Sequence, residues 1–282
     1  MVSPPAVSEQ PVSTAGPQSA ITIQFEDVSI AFEDRQVLDG ISFQLYRGET
    51  KAIFGVAGSG KSTILKLALG LMKPDSGRIY VLGQEITAMR EDELFELRRR
   101  VGIVFQESAL FDSLTVRENV AFRLLEEGIV SEQEIEERVR EALSFVELEH
   151  TVDLYPSELS GGMRRRVGIA RTIITHPEVL LYDSPTGGLD PVTSNTIIEL
   201  VVKQRDVYKT SSLLVTHRLQ DAFTMATHYF DRAENKMKEL PPDARETVPM
   251  SFVILRDGKI IFDGDLKSLR ETRDEYIREY IS

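Results

Sequence analysis

The chain contains no cysteine. Disulfides and thiolate metal sites are therefore excluded, an absence that suits a reducing compartment. No apolar run approaches the ~20 residues that cross a bilayer. The N-terminus lacks the basic start and apolar centre of a secretory signal. These absences lead us to expect a soluble chain that reaches a membrane only through a partner. Basic residues are the minority, 33 Lys and Arg against 45 Asp and Glu, for a formal net charge of −12. A protein that grips nucleic acid through phosphates is usually basic, so no nucleic-acid partner is expected. A dense basic cluster is Arg164-Arg165-Arg166, and no internal repeat is visible.

What is present suffices for a core: 41% of the 282 residues are hydrophobic, enough for one large domain or two modest ones. Residues 1–20 hold four prolines among Ser, Ala and Gln and read as a disordered tail. Alternation begins at Ile21–Phe25, with further strand-like pieces at Val37–Leu45 and Arg78–Leu82, which together suggest a small antiparallel β unit. Val101–Phe105 reads as a buried strand. Thr115-Val-Arg-Glu118 and Ser131-Glu-Gln-Glu134 are capping-box patterns that open helices, so residues 107–174 are expected to form a mostly helical subdomain. Strands return at Val179–Tyr182 and Ser212–Thr216 with a long helix between them, a crossover that implies a parallel sheet. Residues 231–250 are charged and contain prolines, and read as a surface insertion. The hairpin Val253–Phe262 turns at Asp257-Gly258, and residues 266–282 read as one amphipathic C-terminal helix.

The segment that carries chemistry first is Gly55-Val-Ala-Gly58-Ser59-Gly60-Lys61-Ser62, which fits G-x-x-x-x-G-K-[ST] between an apolar strand and a helix. In that pattern backbone N–H groups wrap phosphates, the Lys reaches the terminal phosphates and the Ser hydroxyl holds Mg²⁺. Asp183 ends the apolar strand Leu180–Tyr182, at the edge where α/β sheets place ligands, and a carboxylate there can hold Mg²⁺. Gln106 ends Val101–Phe105 and can offer its amide oxygen to the metal or to an attacking water. Leu159-Ser160-Gly161-Gly162-Met163 combines a Ser cap with glycines at a helix start, which leaves N–H groups free for an anion. Asp190-Pro191 reads as an N-cap followed by Pro at the first helical position, and His217 ends another strand.

These six elements, in this order, resemble the ATPase subunit of an ABC transporter, and the resemblance covers roughly residues 21–270. It implies an α/β fold: a phosphate-loop ABC ATPase domain over residues 21–265 with a RecA-like parallel-sheet core, an N-terminal antiparallel β unit and a helical subdomain. It implies ATP and Mg²⁺, with Gly55, Gly58, Ser59, Gly60, Lys61, Ser62 and Thr63 around the phosphates and Phe32 stacked on adenine. Ser62, Gln106 and Asp183 would hold the metal. It further implies a head-to-tail homodimer with two ATPs sandwiched between chains, Ser160, Gly161, Gly162 and Asp190 facing the nucleotide of the partner, and His217 reaching the γ-phosphate.

One position departs from the family pattern. Ser184 follows Asp183 where a Glu usually polarises the attacking water. A serine hydroxyl orients water but is a very poor base, and general-base help is worth roughly 10²–10⁴ in rate. Two consequences stay open: hydrolysis with Gln106 and His217 positioning the water, or a catalytically impaired ATP-gated clamp or half-site. The stretch Gln106–Phe122, together with Met163 after Gly162, is similar to the ATPases of MCE-type lipid transporters, including the bacterial maintenance-of-lipid-asymmetry system. That likeness implies a permease docking near Ala109, Leu110 and Phe111 and an MCE-domain lipid-binding protein in the wider complex. It also implies a peripheral position on the cytoplasmic face of a bacterial inner membrane.

Overall fold

The structure, a computed structural model, describes residues 20–33, 35–128 and 130–281, so all of the expected tail except Ala20 lies outside the described residues. Two sheets carry the architecture. An antiparallel sheet of β1 (Ile21–Phe32), β2 (Arg35–Tyr46), β4 (Ser76–Val81) and β5 (Gln84–Glu85) runs in the order β2-β1-β4-β5. The larger sheet holds β3 (Thr50–Gly55), β6 (Val101–Val104), β7 (Val179–Asp183), β8 (Ser211–Val215), β11 (Met250–Arg256) and β12 (Lys259–Asp265). Its order is β12-β11-β3-β8-β7-β6, parallel except for the β11–β12 hairpin.

The central strands β3 and β8 are buried at every residue, as expected of a parallel sheet covered on both faces. Because side chains alternate across a strand, the sheet divides two cores. Ala52, Phe54, Leu180, Tyr182 and Leu214 face the helices α3 (Val116–Glu127), α4 (Glu132–Phe145), α5 (Gly161–Ile173) and α6 (Pro191–Tyr208). Ile53, Val179, Leu181, Leu213 and Val215 face the antiparallel sheet with α1 (Lys61–Ala68) and α2 (Glu91–Arg98). α3 begins with the reciprocal capping box read from Thr115 and Glu118. At α4 only the Ser131 half forms, because the Glu134 carboxylate accepts instead from Arg138 one turn on.

Two terminal features differ from the sequence reading. The charged stretch after α7 (Leu219–Thr227) is anchored by an antiparallel pair, β9 (His228–Asp231) and β10 (Lys236–Glu239), tied by Lys238 to Asp231 at 2.6 Å. The C-terminal helix is two helices, α8 (Leu266–Arg270) and α9 (Glu275–Ile281), because Asp274 caps a new start by accepting from Ile277 N at 3.0 Å. Leu266, Leu269 and Ile277 pack into the larger core of their own chain.

Leu180 is fully buried in β7, the strand that presents Asp183. Leu180→Ala should cost about 2–5 kcal/mol of unfolding free energy. Urea denaturation checks this, and a loss well below that range would mean the site's supporting strand is not set by this packing.

Candidate functional site

Between β3 and α1 the chain doubles back in a loop whose glycines are required by space. A Cβ on Gly55 would lie 2.5 Å from Ser59 Oγ and 2.7 Å from the Leu255 carbonyl oxygen. Gly60, at φ +94°, would bring a Cβ within 2.7 Å of Leu38 Cδ2, and glycine alone adopts that backbone cheaply. Gly60 caps α1 without a side chain, so the first N–H groups of the helix point free toward the loop. The Lys61 ammonium is buried within this turn and donates to Gly55 O and Val56 O, both at 2.8 Å, and to Ser59 Oγ at 3.3 Å. Burial lowers its pKa, and the negative charge of Asp183 offsets part of that effect.

Ser62 Oγ donates to Asp183 Oδ1 at 3.1 Å, joining the start of α1 to the end of β7 across 121 positions of sequence. Next to Asp183, Ser184 sits in the left-handed region at φ +45°, is 8% exposed, and is fixed by its N–H to Val215 O at 2.8 Å. Gly187 N donates back to Ser184 O at 2.8 Å, closing a turn after Pro185. Gln106 lies against that turn, its Nε2 3.1 Å from where a Cβ on Gly187 would stand. His217 follows β8 and is exposed. Arg35, at the start of β2, borders the same loop: its Nη2 is 3.7 Å from a Cβ placed on Gly58. Phe32, at the neighbouring end of β1, is 42% exposed.

Ser160 and Asp190 serve a second place. Ser160 caps α5 by accepting from Met163 N at 3.2 Å, and Asp190 caps α6 by accepting from Val192 N and Thr193 N, both at 3.0 Å. A Cβ on Gly162 would meet Thr193 Cγ2 at 2.4 Å, so the two helix starts abut. The Asp190 carboxyl is held below the usual carboxylate range, chiefly by the Thr193 hydroxyl. Among the described residues no hydrogen bond joins Ser160–Gly162 to residues 55–63.

The loop from Phe105 to Leu114 projects beside this region. Arg171 donates to Ser108 O and Ala109 O, both at 2.7 Å, and buried Asn119 grips Phe111 through its N–H at 2.8 Å and its carbonyl at 3.0 Å. Ala109 and Phe111 are exposed, whereas Leu110, also named for the expected permease contact, is half-buried against the larger core. Phe111 leans on Phe122 with ring centroids 4.5 Å apart.

Sequence reasoning missed the residues that hold the Ser184 turn. Thr186, fully buried, donates to Asp221 Oδ2. Arg218 lies 3.6 Å from Asp221 and donates to Ser194 Oγ at 2.7 Å. Burial raises the Asp221 carboxyl above the usual range, against the opposing effects of Thr186, Arg218 and His217. An acidic residue on the apolar face of Leu219-Gln-Asp-Ala-Phe-Thr-Met-Ala was the available signal.

The oxygens of Ser62 and Asp183 suit a hard cation that keeps most of its shell for water and phosphate, as Mg²⁺ does. Among the described residues no group of three His, Cys, Asp or Glu forms a dedicated cage. Free amides, a buried ammonium and two adjacent oxygen donors make a cradle for a polyphosphate and its metal.

Known proteins resemble this chain in sequence and fold. The sequence pattern described as ABC transporter fits residues 38–187. The chain is 36% identical over 93% of its length, and 74% of the other's, to the chloroplastic protein trigalactosyldiacylglycerol 3 of Arabidopsis thaliana. It is 34% identical to the intermembrane phospholipid transport system ATP-binding protein MlaF of Haemophilus influenzae, covering 92% of this chain and 89% of that one. The methionine import ATP-binding protein MetN of Brucella abortus is 38% identical over 75% of this chain, which spans 56% of that protein. Among solved structures, a dimeric ATP-binding cassette in a post-hydrolysis state with ADP and Pi superposes with TM-score 0.72 and 28% identity. The match covers 87% of this chain and 99% of that one.

Because the folded Asp221 pKa lies above its ordinary value, its contribution to stability is full below about pH 4 and is lost as pH rises through the raised pKa. Asp221→Asn keeps an acceptor for Thr186 without the buried charge. Its melting temperature relative to the native chain should therefore climb as pH rises from 4 to 8. Parallel melting curves across that range would contradict the assignment.

Proposed function

The chain belongs to the ABC transporter family as an ATPase motor subunit, and from that premise we propose that it powers an MCE-type transporter of phospholipid or another hydrophobic molecule. The observation that carries the ATPase reading is the Ser62 Oγ to Asp183 Oδ1 contact at 3.1 Å, two oxygens of the kind a hard cation takes, at the start of the helix that follows the glycine-rich loop. The names of the Haemophilus and Arabidopsis relatives support lipid as the cargo. This chain spans only 56% of the methionine import relative.

On this reading ATP is the substrate and lies over Gly55–Thr63, with Phe32 against the adenine. Lys61 exchanges the Gly55 and Val56 carbonyls for phosphate oxygens, which also relieves its desolvation. Ser62, Asp183 and Gln106 would hold Mg²⁺, which supplies charge neutralisation across the terminal phosphates. Gln106 and His217 orient the attacking water, while the Ser184 hydroxyl adds a hydrogen bond but no basicity at neutral pH. Ser160, Gly161, Gly162 and Asp190 face the nucleotide of a second copy arranged head to tail, consistent with the dimeric solved relative. The projecting loop at Ala109 and Phe111 docks a membrane permease, so the chain sits at the cytoplasmic face through that partner, with an MCE-domain protein further along the assembly.

A second reading follows from Ser184. Without a carboxylate beside Asp183, the pair of chains could act as an ATP-gated clamp that closes well and hydrolyses slowly. Turnover of the purified chain, alone and with its permease in phospholipid vesicles, separates the two. Lys61→Ala should lower turnover about a hundredfold or more, and retention of turnover would sink the motor reading. Ser184→Glu should leave a working motor within about tenfold of the native rate, whereas a gain of about 10²–10⁴ marks the native chain as the clamp. Phe111→Glu should release the permease without changing the turnover of the isolated chain, and a permease that still co-purifies would move the docking site elsewhere.

A further inference from the structure

Three consecutive arginines follow the Ser160–Met163 segment on α5, and they do different things. Arg164 donates to Leu159 O at 2.6 Å and Arg166 to Val146 O at 3.0 Å, so both serve the helical subdomain. Arg165, only 6% exposed, turns the other way. Its Nη1 donates to Phe105 O at 3.2 Å and its Nη2 to Gly187 O at 3.0 Å. Its Nε is buried with no partner. Among the described residues no carboxylate lies within ion-pair distance of it, and burial lowers its pKa, with Glu107 the one charge that offsets this. A desolvated cation with a spare donor is an expensive way to fill space.

The two acceptors are what make this costly placement informative. The Phe105 carbonyl belongs to the peptide that leads into Gln106. The Gly187 carbonyl belongs to the residue whose N–H closes the turn that begins at Ser184, and Gln106 packs on Gly187 as well. One planar fork therefore ties the second turn of α5 to both segments that flank the metal-ligating pair Ser62 and Asp183. Two fixed acceptors hold a guanidinium in a single plane, so α5 cannot shift or rotate without dragging Gln106 and the Ser184 turn or breaking a bond.

We infer that Arg165 is a positioning residue that couples the two ATP sites of the pair: the γ-phosphate of the partner's ATP, seated on Ser160–Gly162, sets α5, and Arg165 passes that setting to Gln106 and Ser184 of its own chain. The inference rests on the head-to-tail ATPase reading above. It gives the Ser184 turn an external reference that a chain lacking the usual neighbouring carboxylate needs, because here hydrolysis depends on how well the water is placed. It also predicts that a site with an empty partner is mispositioned, which is positive cooperativity in turnover.

The test is steady-state ATP turnover of the full chain with its permease, as a function of ATP concentration, for the native protein, Arg165→Gln, Arg165→Lys and Lys61→Ala. The native Hill coefficient should approach about 2. Arg165→Gln should bring it to about 1 and lower kcat at least about tenfold, with nucleotide affinity within about twofold. Arg165→Lys, which keeps one carbonyl bond, should fall between, and it carries the test if Arg165→Gln does not fold. A native Hill coefficient of 1, or an Arg165→Lys and Arg165→Gln pair with native kcat and cooperativity, overturns the coupling. So does parallel loss of nucleotide binding and kcat in both variants, which makes Arg165 merely structural. Turnover retained in Lys61→Ala instead overturns the ATPase reading itself, so the two failures are distinguishable.

Discussion

The register of three parallel strands governs everything at the upper edge of the larger sheet. Val215 at the end of β8 stands opposite Ile53 of β3 on one side and Asp183 of β7 on the other, and its carbonyl receives the Ser184 N–H. That register sets the ends of β3 and β7 on either side of β8, so that Ser62, seven residues past Gly55, meets Asp183. A slip of one residue would exchange the two faces of a strand and put Leu180 and Tyr182 into the wrong core. The buried strands therefore hold the site indirectly, by leaving the loops that follow them one choice of position.

Around that edge the chain accepts unfavourable electrostatics on the side where an anion is expected. Its overall charge is −12, yet Lys61 and Arg165 are buried beside the site and both are shifted toward the neutral form by desolvation. Neither has a carboxylate within ion-pair distance among the described residues, their bonds going to carbonyl oxygens and, for Lys61, a hydroxyl. Cations held by neutral acceptors keep their charge available: at Lys61 a polyphosphate is a better partner than the carbonyls it displaces, whereas Arg165 keeps its two carbonyls. Asp221 is the opposite case, a carboxylate whose burial is tolerated because Thr186 and Arg218 fix it, and its role is to hold the Ser184 turn rather than to face solvent.

How much of this was legible in the sequence follows from the range over which each feature is encoded. The phosphate loop, the caps at Thr115, Ser160 and Asp190, and the apolar strand before Asp183 are local patterns, and each lies where its pattern predicted. The break before Glu275 was hidden because Asp274 is an N-cap only once the preceding turn has ended, and Leu266, Leu269 and Ile277 fall near one face of a helix drawn straight through it. β9 and β10 escaped because their outward residues are charged and their one buried anchor, Phe230, looks isolated. Leu110, Arg165 and the Thr186–Asp221 pair were invisible for a different reason. Their meaning is a juxtaposition of segments far apart in sequence, as in the 60 positions between Phe105 and Arg165 or the 35 between Thr186 and Asp221, and no window along one chain contains it.

Two chains closing on two nucleotides is the claim on which the motor, the clamp and the inter-site coupling all depend. Sedimentation of the full chain with a non-hydrolysable ATP analogue and Mg²⁺, with bound nucleotide counted in the same sample, tests it most directly. The account predicts a species of twice the 31.8 kDa chain mass carrying two nucleotides, absent with ADP and lost when Ser160 is replaced by Arg. A chain that binds the analogue fully and stays at its own mass would contradict it.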